Sequence, residues 1–341
     1  MTNKEIFKQF LIRQSLVSRY IRKSQQDFLR GLKRADRELL EIAIMAVDAM
    51  KGESMITATG QQILANVRKS LEESRRLLLD PITREFLEEL RLLAEDQVSF
   101  NRHTAQTTTI GQEKGINEPD EENDLFAFPI DGKTIDEWWI LFFAGDSDRI
   151  MSAVNAGLIA KEDASAIFQR LRGSSELGYA DGATRGSATS MATLIPTLIG
   201  GAIAFGNYTF DEANQELIQK ERYTAILDSR TTMLCASLDG TVYRVGEGPY
   251  PPLHRNCRSY RVPLFEGEGE GEGGITYEEW LKQQDTETQN QVLGRTKGDL
   301  FRNGNLSIGD MLRRDGTPMR LDELFKEHGQ AFKDAGITFN R

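Results

Sequence analysis

The sequence predicts a predominantly helical α+β protein: an N-terminal helical bundle, a mixed α/β domain with a small antiparallel β motif, and a short helical tail. Three observations carry this. Apolar residues in the first hundred positions recur at helical spacing, with few glycines. At Arg222 the pattern changes to short strand-like runs punctuated by turn signals. A glycine–glutamate alternation, EGEGEGEGG (266–274), then separates these runs from a final stretch of small amphipathic segments.

In the first hundred residues, Phe7, Phe10 and Leu11 share a helical face, as do Leu40, Ile44 and Val47. Leu64, Val67, Leu71 and Leu78 continue the spacing, and Phe86, Leu90 and Leu93 repeat it. Asp80-Pro81 falls between the last two sets and predicts a turn between antiparallel helices. Residues 101–124 are polar and aperiodic, which predicts a linker or long loop. Thr134-Ile-Asp-Glu137 matches a capping box ahead of the apolar run Trp138 to Phe143. A further helix through Ala164, Ile167, Phe168 and Leu171 should stop at Gly173. MATLIPTLIGGAIAFG, from Met191, is interrupted by Pro196 and Gly200-Gly201 and falls short of the roughly 20 residues of a membrane span. It reads as a buried helix, with residues from Asn207 to Lys220 completing it or starting another. Tyr223–Leu227, Thr241–Val245 and Arg261–Phe265 read as strands, with Asp239-Gly240 as a turn. The Gly/Glu run cannot pack a core and reads as a tether. Beyond it TYEEWL is a short helix, and a tail of this size must dock elsewhere to be stable.

The chain has 341 residues, enough for two or three domains with their own cores. Its 39% apolar and 28% charged residues suit a globular protein. A net charge of −10 argues against a surface built wholly for nucleic acid. The charge is uneven, however. Lys4, Lys8, Arg13, Arg19, Arg22, Lys23, Arg30, Lys33, Arg34 and Arg37 face only Glu5, Asp27 and Asp36 in the first 37 residues. Such an arm suits DNA phosphates or an acidic protein surface, and otherwise a solvated helix face. MTNKEIFKQF has no apolar core of a signal peptide, and two cysteines in a long chain suggest a reducing compartment.

Both cysteines lie in LDSRTTMLCASLDG and GEGPYPPLHRNCRS, beside one of three histidines. Cys235, His254 and Cys257 are ligand types that zinc accepts, with a fourth to come from Asp228, Asp239 or water. A paired CxxC is missing, because Thr232 stands three residues before Cys235. A cysteine nucleophile activated by His254 uses the same residues. A zinc deaminase needs a glutamate two residues after its histidine, and none follows His254. The remaining reading is a polar staple. Asp228 and Arg230 form a buried pair, Thr231 caps a turn, Asp239-Gly240 closes a tight turn, and Pro251-Pro252 extends the chain that presents His254. Asn256 and Arg258 bond nearby carbonyls and the cysteines fill small gaps. The sequence favours the staple with no cofactor and no catalytic residue. Zinc at Cys235, His254 and Cys257 is the alternative.

The same run, LDSRTTMLCASLDGTVYRVGEGPYPPLHRNCRS, closely resembles the signature of the phage Mu F-like head morphogenesis family, which includes the minor head proteins of SPP1-type phages. The matching positions are Asp228, Arg230, Thr231, Cys235, Asp239, Gly240, Pro251, Pro252, His254, Asn256, Cys257 and Arg258. AVNAGLIAKEDASAIFQRLRG resembles the helix pair ahead of that signature, and TYEEWLKQQ, VLGRTKGDLFRNGNLSIGDML and LDELF resemble the tail after it. The resemblance covers roughly Ile135 to Phe325. It implies a head-morphogenesis domain at 131–265 and an extension at 275–341, to which the residue patterns add the helical domain at 1–100, outside the resemblance and expected to dock to portal or capsid, the linker or long loop at 101–130 and the tether at 266–274. Two departures stand out. Relatives carry Arg-Thr where this chain reads Ile195-Pro196-Thr197, and some carry zinc-completing cysteines where it has Thr232 and Ser259.

The function this implies is a minor capsid protein near the portal vertex, present in several copies, that assists head assembly and genome packaging or ejection. Its implied partners are the portal protein, the major capsid or scaffolding protein, and packaged DNA bound without sequence preference. Arg13, Arg19, Arg22, Lys23, Arg30, Lys33, Arg34 and Arg37 are the candidate DNA or portal contacts. Its implied location is the virion, with host cytoplasm during assembly. The alternatives are a virion-delivered enzyme using the Cys/His site and an ejected, membrane-active protein.

Overall fold

The computed structural model describes residues 1–34, 36–268, 274–303 and 306–338, without the side chains of Arg34, Asp36 and Arg37. It is 64% helical with one three-stranded antiparallel sheet, the predicted class. The chain forms two compact units: Met1–Arg13, Glu95–Asn123 and Ile203–Arg341 in the first, Gln14–Ala94 and Asp124–Ala202 in the second.

The chain begins with three helices, α1 (Asn3–Arg34), α2 (Asp36–Ala49) and α3 (Ala58–Gln106). Pro81 lies inside the 49-residue α3, so the expected turn at Asp80-Pro81 is not formed. Proline costs a helix interior one backbone bond and roughly 3 kcal/mol. Burial of Leu79, Phe86 and Leu90 along the same face offsets it. The face of α2 also differs from expectation. Leu39, Ile42, Ala43 and Ala46 are buried, while Leu40 and Ile44 are exposed. Both faces are apolar, and the alanines present the flatter one for packing. The expected loop at 101–130 contains the last turn of α3 and α4 (Thr109–Lys114), which Thr108 caps.

In the second unit, α5 (Ile135–Ile159) opens with the expected capping box at Thr134 and Glu137, and α6 (Ala164–Arg172) ends at Gly173. Their residues Ile150, Met151, Val154, Ile167 and Leu171 pack with the buried face of α2 and with Val67 and Leu71. Phe28 and Phe86 gather round Trp139 in edge and tilted ring contacts. α7 (Ala183–Ala213) takes in the whole apolar run across Pro196. It is long and apolar enough to cross a membrane, so the length argument from the sequence fails, yet 61% of its most apolar window is buried in the protein. Gly201 is required there: a Cβ would stand 2.2 Å from Ile130 Cδ1.

In the first unit, residues 214–220 are not helical as expected, and β1 (Ile218–Thr224) starts instead. It lies between β2 (Val242–Arg244) and β3 (Tyr260–Phe265), antiparallel to both, with Tyr223 opposite Arg261. α8 (Met233–Leu238), not anticipated, connects β1 to β2. Ile6, Phe10, Phe210, Ile218, Val262 and Phe265 form one core. The tail folds as α9 (Tyr277–Lys282), α10 (Thr286–Leu293), α11 (Arg295–Arg302) and α12 (Leu321–Asp334). It docks as predicted: Tyr277, Leu281, Leu300, Phe301 and Phe332 share a core with Met233 and Ala236 of α8. Most of the expected tether, 269–273, lies outside the described residues.

Candidate functional site

The signature residues converge on the turn after β1, the short α8 and the loop that leads to β3. Thr232 caps α8, its hydroxyl accepting from the Cys235 amide at 3.4 Å. This places Cys235 on the first turn, facing back to the sheet. The loop returns through a cis Pro251-Pro252 bond, both rings buried, and Asn256 adopts φ +60°, a left-handed conformation that asparagine tolerates better than most residues. His254 and Cys257 are thereby brought against Cys235. Cys235 Sγ lies 3.1 Å from His254 Nε2 and 3.7 Å from Cys257 Sγ, and the Tyr223 hydroxyl donates to Cys235 Sγ at 3.3 Å. His254 Nδ1 sits 2.9 Å from the Arg255 carbonyl, and Thr232 Oγ1 is 3.0 Å from His254 Nε2.

Cys235 and Cys257 are free thiols, each buried. The hydrogen bond from Cys257 pulls Cys235 down, against burial, with further donors in His254, Ser259 and Tyr223. Sharing its proton with Cys235 pushes Cys257 up, and burial adds to it. The ligand atoms of Cys235, His254 and Cys257 all lie within 4.8 Å of one another. Two thiolates on a tetrahedral zinc, at Zn–S of about 2.3 Å, are about 3.8 Å apart. The 3.7 Å sulfur separation therefore fits such an ion.

The two carboxylates proposed as a fourth ligand are committed elsewhere. Asp228 takes a two-pronged ion pair from Arg258, at 2.7 and 2.6 Å. Burial pushes its carboxyl up, but Arg258 and the Arg230 amide outweigh this and hold it at about 2. Arg230 is the weaker partner, at 3.3 Å with its side chain 76% exposed, so the expected buried Asp228–Arg230 pair is corrected to a half-buried Asp228–Arg258 pair. The more distant arginine wins because the Cys257 turn carries it across the carboxylate plane. Thr231 donates its hydroxyl to the Ile226 carbonyl, closing the turn.

Asp239 accepts the Ala225 amide on one oxygen and the Tyr277 amide on the other, each at 2.7 Å. It joins β1 to the tail. Gly240, at φ +83°, donates its amide to the Tyr223 carbonyl at 2.9 Å. The Asp239-Gly240 turn therefore follows α8 rather than joining two strands. Tyr277 completes the junction, its hydroxyl donating to the Asp228 carbonyl at 2.8 Å.

A second buried cluster was missed. Arg261 and Glu221, both fully buried, pair at 3.0 Å. Arg261 also donates to the carbonyls of Glu247 and Pro249, and stacks between Tyr243 and Tyr250 at 4.6 and 4.7 Å. Tyr250 donates to Glu221 at 2.8 Å. Burial, and then the charge of Glu221, raise Asp211 well above the ordinary carboxylate range. The sequence offers little signal for it, because Glu221 stands between Lys220 and Arg222 and meets Arg261 only across the sheet.

Of the basic arm, Arg13 belongs to the first unit and the later residues to the second. Arg13 pairs with Asp96 at 2.7 Å and stacks over Phe100 in the first unit, and Arg30 pairs with Asp27. Arg19, Arg22, Lys23 and Lys33 are exposed in the second unit, and the side chains of Arg34 and Arg37 lie outside the described residues. No protein-family model, no curated protein and no solved structure matches the chain.

Proposed function

We propose that the chain is a phage minor capsid protein acting near the portal vertex in head assembly. The observation that carries this reading is what the signature residues do. Asp228, Thr231, Asp239 and Arg258 spend their polar groups on the chain itself, joining sheet, α8 and tail into one piece. Such a set suits a scaffold for assembly better than a reaction centre, which needs groups aimed at a substrate. Exposed apolar side chains at helical spacing, Ile12 and Leu16 on α1 and Leu40 and Ile44 on α2, suit a protein covered by neighbours. Co-expression with the portal protein of the same phage tests this. A stable complex that survives size exclusion is expected, and two separate peaks at micromolar concentration would count against it.

A second reading concerns the Cys235, His254 and Cys257 group, which we infer holds a structural zinc ion. The 3.7 Å sulfur separation favours it. The three side chains would supply two thiolates and an imidazole, leaving one corner to water, and the ion would clamp α8 to the loop before β3. Metal content and melting temperature with and without chelator test it.

A further inference from the structure

We propose that the second unit carries a phosphate-binding pocket at the start of α7, suited to a nucleotide phosphate, either free or in a DNA backbone. A cavity of about 310 Å³ opens there, walled by Lys33, Arg75, Arg172, Arg185, Ser187 and Tyr179. Among the described residues, no carboxylate stands in its lining. Four cations round one recess repel each other, and an anion relieves that repulsion.

The floor holds donors that lack acceptors. Arg75 is only 2% exposed, and its Nη1 has no hydrogen-bond partner. Its Nε stands 3.1 Å from Asp146 Oδ2 but off the N–H direction, so that bond is unmade too. Both nitrogens are closed to solvent, so Arg75 gives the recess its charge and not these two donors. Ser187 is buried beside it. Its oxygen accepts from Arg149 Nε at 3.4 Å, which leaves its O–H to donate. Thr184 has no such freedom, because its hydroxyl is given to the Leu171 carbonyl.

The helix adds its own field. α7 has 31 residues, and its first turn lies in the wall through Thr184 and Arg185. The Arg185 amide is given to the Gly182 carbonyl at 3.0 Å, so the helix start contributes its partial positive charge, which favours phosphate oxygens, and not that donor. Asp146 offsets the charge of Arg75, and Glu38 lies within electrostatic reach of it. Net attraction therefore comes from Lys33, Arg185 and the helix terminus. Lys33 and Arg185 form no ion pair among the described residues. At the mouth, Arg172 stacks on Tyr179 at 4.8 Å, a platform that also suits a base or sugar face. The cavity exceeds the volume of one phosphate, so the ligand brings more than the anion. This pocket does not rest on the head-assembly reading.

Titration calorimetry on the full chain, with inorganic phosphate, dAMP and a short DNA duplex as separate arms, tests the proposal. Saturable binding of dAMP or duplex is expected, weakened at least tenfold by Arg172→Ala/Arg185→Ala and by Ser187→Ala, with each variant melting near the wild type. Arg19→Ala/Arg22→Ala, outside the pocket, should leave dAMP binding intact. Binding of dAMP without duplex assigns a free nucleotide, and binding of duplex assigns backbone phosphate. Absence of saturable binding in all three arms, or binding indifferent to the pocket substitutions, overturns the proposal.

Discussion

Arg261→Leu should be the most damaging single change in the sheet. The substitution removes a guanidinium that is fully buried and 3.0 Å from the equally buried Glu221. Glu221 then keeps the Tyr250 hydroxyl, beside an Asp211 whose carboxyl burial already raises. The carbonyls of Glu247 and Pro249 also lose a donor. Removing one partner of a buried pair costs about 3–5 kcal/mol. The cost has a pH signature. Burial already raises Glu221 in the intact protein, and without Arg261 it should rise further. A carboxyl raised on folding stabilises fully below its unfolded value and loses that contribution as pH climbs through the folded one. The variant's deficit should therefore be larger at pH 8 than at pH 5. Urea unfolding followed by circular dichroism at both pH values measures it. Adding Glu221→Gln should return part of the loss at pH 8. A deficit under about 1 kcal/mol, or one independent of pH, refutes the reasoning.

The remaining predictions concern the signature. Arg258→Ala should cost about 1.5–3 kcal/mol, since it breaks two charge-assisted bonds, while exposed Arg230→Ala should stay within about 0.5 kcal/mol. Equal losses would contradict the pairing, and urea midpoints decide it. Asp228, held at about 2 against 3.8 unfolded, contributes stability above pH 4 that is lost as pH falls through 2. Partial exposure limits this to about 1 kcal/mol, read as the flattening of the acid limb in Asp228→Asn. Asp239→Asn removes one of two backbone acceptors and should cost about 1–3 kcal/mol, loosening α9 first; unchanged amide exchange at Tyr277 would count against it. Purified protein should hold close to one zinc per chain and melt lower in EDTA. Far less metal with an unchanged melt would leave the cysteines as a thiol staple.

Much of this architecture was legible because it is local. Thr134 and Glu137 specify a capping box by their spacing, and Gly173 and the Gly240 turn mark their breaks by conformational need alone. What escaped depends on tertiary context. Pro81 reads as a break, yet burial on both sides of it carries the helix through. Leu40 and Ile44 read as core, but α2 offers two apolar faces and only its partners choose. Ile218, Gln219 and Lys220 read as helical, and pairing with neighbouring strands makes them the start of β1. In the site, the cysteines and His254 were marked by type. The partner of Asp228 was not, because Arg230 is near in sequence and Arg258 only in space. The Glu221–Arg261 pair was missed for the same reason.

The head-assembly claim is tested most directly by a cryo-EM reconstruction of the assembled particle without imposed symmetry, at a resolution that shows helices. The account predicts density for this chain against the portal vertex, with the 49-residue α3 as its landmark. Complete particles whose portal vertex lacks that density, and whose protein content lacks the chain, would contradict it.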